Sequence, residues 1–338
     1  MGGKALGPMS VLVTGGAGYI GSHMVLELLD SGENVIVLDN LSTGFRWAVP
    51  QNATLVVGDI GDQELVRSIV RKHNVDAIIH FAGSIVVPES VADPLGYYHN
   101  NTVKSRALME VAVEMGIEHF IFSSTAAVYG MPKDNPVRED AELQPMSPYG
   151  SSKMMTEIML ADTARAHNFR YVALRYFNVA GADPKGRSGQ STPNATHLIK
   201  VACETALGRR PYMEVFGTDY PTRDGTCVRD YIQVTDLVRA HMAALRHLRD
   251  GGDSDVFNCG YSKGFSVLDV IEAVKRASGA DFEVRTGPRR PGDPAEIVAA
   301  SDKIRIRLGW RPAYDNLDTI TLQALSWETH LKRFQEAS

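Results

Sequence analysis

In Leu12-Val13-Thr14-Gly15-Gly16-Ala17-Gly18-Tyr19-Ile20-Gly21-Ser22-His23 a β-type apolar run gives way, through glycines spaced Gly-x-x-Gly-x-x-Gly, to residues with helical apolar spacing. Glycines in a strand-to-helix turn permit tight backbone geometry and close approach of a pyrophosphate. The helix that follows turns its first amides, and the positive end of its dipole, toward that charge. Gly15, Gly18 and Gly21, with Tyr19 and Ile20 between them, are therefore candidate cofactor-binding residues. A plain strand-to-helix turn uses the same glycines, so the reading needs support from farther along the chain.

That support comes from the ends of the next apolar runs. Asp39 ends the second run, 18 residues past Gly21 and followed by Asn40, where a carboxylate can bond an adenosine ribose and repel a 2′-phosphate. This favours NAD over NADP. Asp59, in Gly58-Asp59-Ile60, follows the third run and is placed to reach the adenine, although a turn-forming Asp explains it equally well. Phe81-Ala82-Gly83 brings small residues to the end of the fourth, where a dinucleotide would cross the sheet edge.

The first half repeats the alternation of strand and helix. Strands are expected at Ser10 to Val13, Val35 to Leu38, Leu55 to Val57, Ala77 to His80, Phe120 to Ser123 and Tyr171 to Leu174. Helices are expected at Ile20 to Asp30, Glu64 to Lys72, Leu95 to Met115 and Tyr149 to His167. The pattern predicts an α/β fold: a Rossmann-type doubly wound parallel sheet with a smaller C-terminal α/β substrate lobe. The boundaries read as a dinucleotide-binding domain over 9–183, with a segment near 230–260 returning to it, and a lobe over 184–338 punctuated by helices at Thr235 to Arg249, Ser266 to Ser278 and Leu317 to Lys332.

Ser147-Pro148-Tyr149-Gly150-Ser151-Ser152-Lys153 adds chemistry to the fold. Ser147 can cap a helix and Pro148 suits its first position, so Tyr149 falls in the first turn and Lys153 shares its face one turn later. A lone tyrosine titrates near ~10, and a neighbouring cation favours the phenolate. Tyr149 is the candidate general base, though the same spacing also suits an ordinary half-exposed helix face.

Composition narrows the partners. The chain has 338 residues, 44% hydrophobic and 22% charged, enough to bury a sizeable core. A formal charge of −5 with no dense Lys/Arg tract gives no footprint for nucleic acid or an anionic membrane, which leaves a small molecule as the expected ligand. Cys203, Cys227 and Cys259 are unclustered and read as reduced structural thiols. No apolar run approaches the roughly 20 residues of a membrane helix, and Met1 to Pro8 has one lysine but no apolar stretch long enough for a signal peptide, so a cytoplasmic protein is expected. No histidine lies in a His-Glu-x-x-His pattern or beside a cysteine pair, so no metal is expected.

Taken with Ile79-His80-Phe81-Ala82-Gly83, Phe120 to Ser124, Val128-Tyr129-Gly130, Arg175-Tyr176-Phe177-Asn178, Phe216 to Pro221, Val228 to Ile232, Arg289 to Asp293 and Leu308 to Pro312, these residues resemble a family. It is the extended short-chain dehydrogenase/reductases, and within it the nucleotide-sugar 4-epimerases found in bacterial exopolysaccharide pathways. The resemblance implies an NAD-dependent isomerase of galactose metabolism that interconverts UDP-galactose and UDP-glucose through a 4-keto intermediate. It further implies a UDP-sugar-binding lobe and a homodimer formed through Leu95 to Met115 and Tyr149 to His167. By the same resemblance Tyr149 is the base, Lys153 tunes it and grips the nicotinamide ribose, and Thr125 relays the proton. Asn100, Ser123 and Tyr176 would line the cofactor. Ser124, Phe177, Asn178, His197, Leu198, Phe216, Arg229, Tyr231, Arg290 and Asp293 would hold the UDP-sugar, and Ile297 would gate the size of its pocket. Arginine suits diphosphate because its planar fork pairs bidentately with phosphate oxygens. Asp230, beside Arg229, is the structural alternative as its partner.

Competing activities leave traces of their own. Related 4,6-dehydratases carry an Asp-Glu pair after the threonine, where this chain has Ala126 and Ala127, which cannot act as acid or base. Ile85 stands where many galactose epimerases have a lysine near the sugar. UDP-N-acetylglucosamine, UDP-glucuronate and UDP-pentoses remain open as substrates. A net dehydrogenase and a non-catalytic dinucleotide-binding regulator are the readings from other classes, and a regulator would be expected to lose Tyr149 or Lys153.

Overall fold

β1 (Ser10–Thr14) is buried along its whole length and opens a chain that alternates strand and helix. The structure, a computed structural model, describes residues 9–290 and 292–336, so the reading of Met1 to Pro8 lies outside the described residues. After β1 come α1 (Tyr19–Asp30), β2 (Asn34–Asp39), β3 (Thr54–Val57), α2 (Gln63–His73) and β4 (Val75–His80). Next, α3 (Val87–Ala92) and α4 (Pro94–Tyr97) lead into a π-helical segment, Tyr98–Val103, before α5 (Lys104–Glu114), β5 (His119–Thr125), α6 (Pro148–Ala166) and β6 (Arg170–Tyr176). Then β7 (Asn178–Ala180), α7 (Leu198–Ala206), β8 (Met213–Phe216) and β9 (Val228–Gln233) precede α8 (Val234–Arg249) and β10 (Asp255–Cys259). The chain closes with β11 (Gly264–Ser266), α9 (Val267–Ser278), β12 (Val284–Gly287), β13 (Glu296–Ile297), α10 (Asp302–Leu308) and α11 (Leu317–Glu336).

Two units share these elements. One comprises the residues up to Gly130, Leu143–Arg175 and Val238–Phe257; the other comprises Met131–Glu142, Tyr176–Leu237 and the residues from Asn258 onward. The chain first leaves the larger unit at Gly130, and the main exchange comes at Arg175, a few residues before the expected division at 183.

The first unit is built on a seven-stranded sheet in the order β10-β6-β5-β4-β1-β2-β3. The pairs β1–β2, β1–β4, β2–β3 and β4–β5 are parallel. Period-two alternation sends Leu12, Ile36, Leu38, Ile78, Phe120 and Phe122 to one face, where they form a core with Val66 and Ile69 of α2, Leu108 of α5 and Leu160 of α6. Burying a side chain such as Leu12 contributes about 1.5–3 kcal/mol. Val13 and Val37 point to the other face, on which α1 buries Met24, Val25 and Leu28. Arg239 of α8 lies 3.5 Å from Glu27 of α1 on that side, so helices cover both faces.

The second unit holds a smaller sheet ordered β11-β9-β13, with β7 also paired to β9, and a parallel pair of β8 and β12. Around them α7, α9 and α11 pack on one another. Ser266 and Asp269 form a capping box that fixes the start of α9. One expectation fails in detail: the single helix over Leu95 to Met115 is interrupted at Tyr98–Val103 by the π-helical segment. There the side chains of both Asn100 and Asn101 bond Ser84, a long-range tie that helical periodicity does not encode.

Candidate active site

The glycine turn is as tight as its spacing predicts. Gly15 has φ of +70°, and a Cβ on it would lie 2.7 Å from the Ala82 amide nitrogen, while a Cβ on Gly21 would lie 2.1 Å from the Gly15 carbonyl oxygen. Gly18 differs: its nearest obstacle would be Gly15 oxygen at 3.3 Å, and as the N-cap of α1 it leaves the first-turn amides without a side-chain partner. A backbone cradle at an uncapped helix start, with α1 twelve residues long, fits a pyrophosphate. Sequence reasoning missed Gly16, where a Cβ would meet the Val37 side chain at 2.8 Å, and Gly44, where one would sit 2.9 Å from Ala17.

Asp39, buried at the end of β2, accepts the Ala17 amide at 2.9 Å and the Leu41 amide at 2.8 Å. The carboxylate thus braces the turn. Asn40 is exposed and accepts the Ser42 amide at 3.0 Å. Asp59 is tied to Lys104 at 2.5 Å and to the Gly61 amide at 2.8 Å. Burial works to raise its carboxyl, yet Lys104 and Gly61 hold it below the usual range. Ile60 packs into the core with Leu38 and Val66, which leaves its backbone as the part open to a ligand. At the end of β4, the Phe81 ring lies 4.8 Å from that of His241, and the Phe81 amide donates to Thr14 oxygen.

Around the tyrosine, the first unit brings Thr125, Tyr149, Lys153 and Ser123 together. Ser147 caps α6 by accepting the Gly150 amide at 3.2 Å, with Pro148 at the first helical position. The hydroxyls of Tyr149 and Thr125 are hydrogen-bonded. Burial pushes Tyr149 above its ordinary value, and the Thr125 bond offsets part of the rise. Lys153 Nζ donates to the Ser123 carbonyl at 2.9 Å and lies 4.9 Å from the Phe122 ring centre. Burial lowers Lys153 to about 8, with Glu157 opposing the fall. The long lysine side chain thus reaches from α6 to β5.

Several residues that sequence reasoning passed over complete this region. Asn101 is buried; it accepts the Ser84 amide at 2.7 Å and donates to Ser84 oxygen at 2.9 Å and Ser152 Oγ at 3.0 Å. A Cβ on Gly83 would stand 3.0 Å from Asn101 and 3.8 Å from Lys153 Nζ, so this strip of backbone runs beside the lysine. Asn100 donates to Ser84 Oγ at 2.9 Å. Ser124 is turned inward, its hydroxyl donating to Glu157 at 2.5 Å, and Glu157 pairs with Arg175, which also reaches the Tyr129 hydroxyl at 3.0 Å. Of this cluster the sequence names Ser124 and the runs holding Tyr129 and Arg175, but it does not single out Glu157.

The second unit collects the remaining candidates. Strand register along β9 sets Asn178 of β7 opposite Tyr231, and Ile297 of β13 opposite Arg229. Tyr176 ends β6, and the buried Phe177 links it to β7. Arg229 donates to Val228 oxygen at 2.9 Å and has Asp293 at 3.7 Å as its acidic neighbour. Asp230 is not its partner: alternation turns that side chain to the opposite face, where it accepts the Tyr261, Ser262 and Ala299 amides. Burial raises the Tyr231 hydroxyl, and Arg229 opposes it. The Arg290 guanidinium is exposed and lies 3.9 Å from the centre of the Phe216 ring. His197 caps the start of α7 without a side-chain bond, ahead of Leu198, with Gln190 Nε2 3.4 Å from its Nδ1.

Comparison with known proteins places this geometry among relatives. Residues 11–260 match the NAD dependent epimerase/dehydratase family. The chain is 57% identical over 323 residues to a UDP-glucose 4-epimerase of Azospirillum brasilense, covering 96% of this chain and 93% of the relative. A UDP-glucose 4-epimerase from Brucella ovis in complex with NAD superposes with a TM-score of 0.92 at 42% identity, over 95% of this chain and 98% of that one. Another, from Bifidobacterium longum in complex with NAD+ and UDP, gives 0.90 at 38% identity, over 95% and 98%.

Proposed function

The chain belongs to the NAD dependent epimerase/dehydratase family, and from that premise we propose that it interconverts UDP-glucose and UDP-galactose by inverting C4 of the sugar. The observation that carries the reading is the hydrogen-bonded pair Tyr149–Thr125, with Lys153 buried beside it on α6. We assign NAD to the cradle of Gly15, Gly18 and Gly21, its ribose to Asp39, its adenine to Asp59 and the Ile60 backbone, and its nicotinamide ribose to Lys153. Asn100 and Ser123 complete this set. When bound, the nicotinamide supplies a site that takes up a hydride from C4 and returns it.

The chain's own residues supply the proton chemistry. Thr125 passes the proton of the sugar 4-hydroxyl to Tyr149, and the ammonium of Lys153 favours the phenolate that must receive it. The 4-keto sugar then presents its other face, takes the hydride back, and receives the proton from Tyr149 along the same route, so no net oxidation occurs. Turning over without loss requires a firm hold on the nucleotide. We assign that hold to Arg229 and Arg290 for the diphosphate, with Phe216, Asn178, His197 and Leu198 around the nucleoside, and with Tyr231 and Asp293 supporting Arg229. Ile297, buried beside Arg229, sets the room for a C2 substituent and leaves an acetamido sugar admissible.

We extend the reading to a homodimer. In the first unit, Val91, Leu95, Val103, Met155 and Ile158 on α3, α4, the π-helical segment and α6 are exposed, with Leu95 78% accessible, and such an apolar surface favours a partner. We also place the protein in the cytoplasm, in keeping with three buried, unpaired cysteines; among the described residues no helix is long and apolar enough to cross a membrane. The test is incubation of purified protein with UDP-galactose, and separately with UDP-N-acetylgalactosamine, without added NAD, reading the 4-epimer by NMR. Conversion of UDP-galactose supports the proposal. Failure to convert it refutes the proposal, and conversion of UDP-N-acetylgalactosamine alone would transfer the activity to the acetamido sugar.

A further inference from the structure

Glu157 is a carboxylate sealed inside the first unit, 6% exposed, one helical turn beyond Lys153. Its Oε1 accepts Ser124 Oγ at 2.5 Å and Arg175 Nε at 3.0 Å; its Oε2 accepts Arg175 Nη2 at 2.6 Å. Two successive residues of β5 are therefore gripped by two residues a turn apart on α6: the Ser123 carbonyl by Lys153 and the Ser124 hydroxyl by Glu157. Thr125 follows them directly. Burying a carboxylate and a guanidinium carries a desolvation penalty, and apolar side chains of like volume hold helix to strand as well or better. Cohesion alone does not account for a charge at this place.

We propose that Glu157 is a positioning residue for the reaction, supplying the counter-charge that keeps the Lys153 amine protonated and fixing the β5–α6 register that brings Thr125 to Tyr149. The proposal rests on the function assigned above. The groups that face Lys153 leave the task to Glu157. On its own helix stand Tyr149 and Glu157; β5 offers the Ser123 carbonyl and the Phe122 ring. From β4 comes His80, held between Thr14 at 2.7 Å and Ser105 at 2.8 Å and pushed down to about 3 by burial and then by Lys153, hence neutral. Beside the lysine, Gly83 and Asn101 are uncharged. Arg175 is engaged with Glu157 and the Tyr129 hydroxyl. Burial lowers Lys153, and Glu157 is the anion that opposes it.

The experiment compares wild type, Glu157→Gln and Ser124→Ala as holoproteins, following the pH dependence of turnover and the titration of Lys153 by NMR of 13Cε-labelled lysine. Glu157→Gln keeps the shape and removes the charge, so the Lys153 titration and the alkaline limb of kcat should both move down, by about one pH unit for loss of one adjacent charge. Ser124→Ala removes the tether and keeps the charge; turnover should fall with the limb unmoved. If Glu157→Gln leaves Arg175 unpaired and fails to fold, Glu157→Gln in an Arg175→Met background is compared with Arg175→Met alone, and Lys153 should titrate lower in the double variant than in that single variant. An unchanged Lys153 titration in the variant that folds overturns the proposal, and so does an equal shift in Ser124→Ala. A wild type that epimerises no UDP-sugar would sink the functional reading while the lysine titration still decides the charge.

Discussion

Replacing Asp230 should damage the second unit far more as alanine than as asparagine. The side chain is fully buried on β9 and accepts the amides of Tyr261 at 2.9 Å, Ser262 at 3.0 Å and Ala299 at 3.2 Å, the last two on Oδ2. Asp230→Ala strands these three donors at about 1–3 kcal/mol each, so a loss of roughly 3–9 kcal/mol is expected against a usual total of ~5–15 kcal/mol. Asparagine keeps an acceptor in place of Oδ2 and opposes only the Tyr261 donor. It also removes a charge that burial disfavours: the carboxyl is pushed from 3.8 up to about 6, a penalty on the charged form of about 3 kcal/mol. A folded-state value raised above the unfolded one gives stability that is full below pH 3.8 and is lost as pH rises through about 6. Wild type therefore loses about 1.4 kcal/mol from this group between pH 5 and 7.5, and Asp230→Asn loses none of it. Urea unfolding of the three proteins at both pH values measures the differences. An Asp230→Ala variant within ~1 kcal/mol of wild type, or an Asn-to-wild-type gap that does not change with pH, would refute the argument.

Tyr149→Phe deletes only the hydroxyl; turnover should drop roughly 10²- to 10⁴-fold while nucleotide released on denaturation stays equimolar, and near-full activity would remove Tyr149 as the base. Gly21→Ala drives a Cβ to 2.1 Å from the Gly15 carbonyl, backbone against backbone, so the purified protein should carry little NAD. Arg229→Ala should raise KM for UDP-galactose roughly 10- to 100-fold with a smaller effect on kcat, the signature of a lost charge-assisted bond to phosphate; an unchanged KM would free Arg229 from that role.

Local signals carried the first half of the fold. Apolar runs with period two, and the glycines between Thr14 and Ser22, specify β1, the turn and α1 within a few residues of chain, so their bounds were legible to within one or two positions. Strands of two to four residues such as β13 and β11 have no comparable local signal, because their register is set by β9 across the unit. The excursion of Met131–Glu142 into the second unit is likewise decided at a distance, by the Val137 amide donating to Val298 oxygen and the Ala300 amide donating to Val137 oxygen, each at 2.8 Å. At the candidate site, the sequence names residues but not the directions their side chains take. Tyr149 and Lys153 stand out by spacing, but the pull of the Ser123 carbonyl on the lysine depends on a strand some thirty positions earlier. The facing of Asp230 could have been read from strand alternation, which separates it from Arg229; adjacency in sequence was the weaker guide.

The interleaved course of the chain also sets a schedule for its synthesis. β6 ends at Tyr176, and its edge neighbour β10 begins at Asp255, so ~80 residues, most of them destined for the other unit, emerge before the sheet can be finished. At roughly 5–20 residues per second the ribosome holds the sheet open along β6 for about 4–16 s, with backbone donors and acceptors unpaired. A nascent chain in that interval carries every glycine of the turn and both Tyr149 and Lys153, yet lacks the edge strand that covers β6. Shielding of that edge until Cys259 has emerged is therefore part of making the protein, and a fragment ending before Asp255 would retain the open edge permanently.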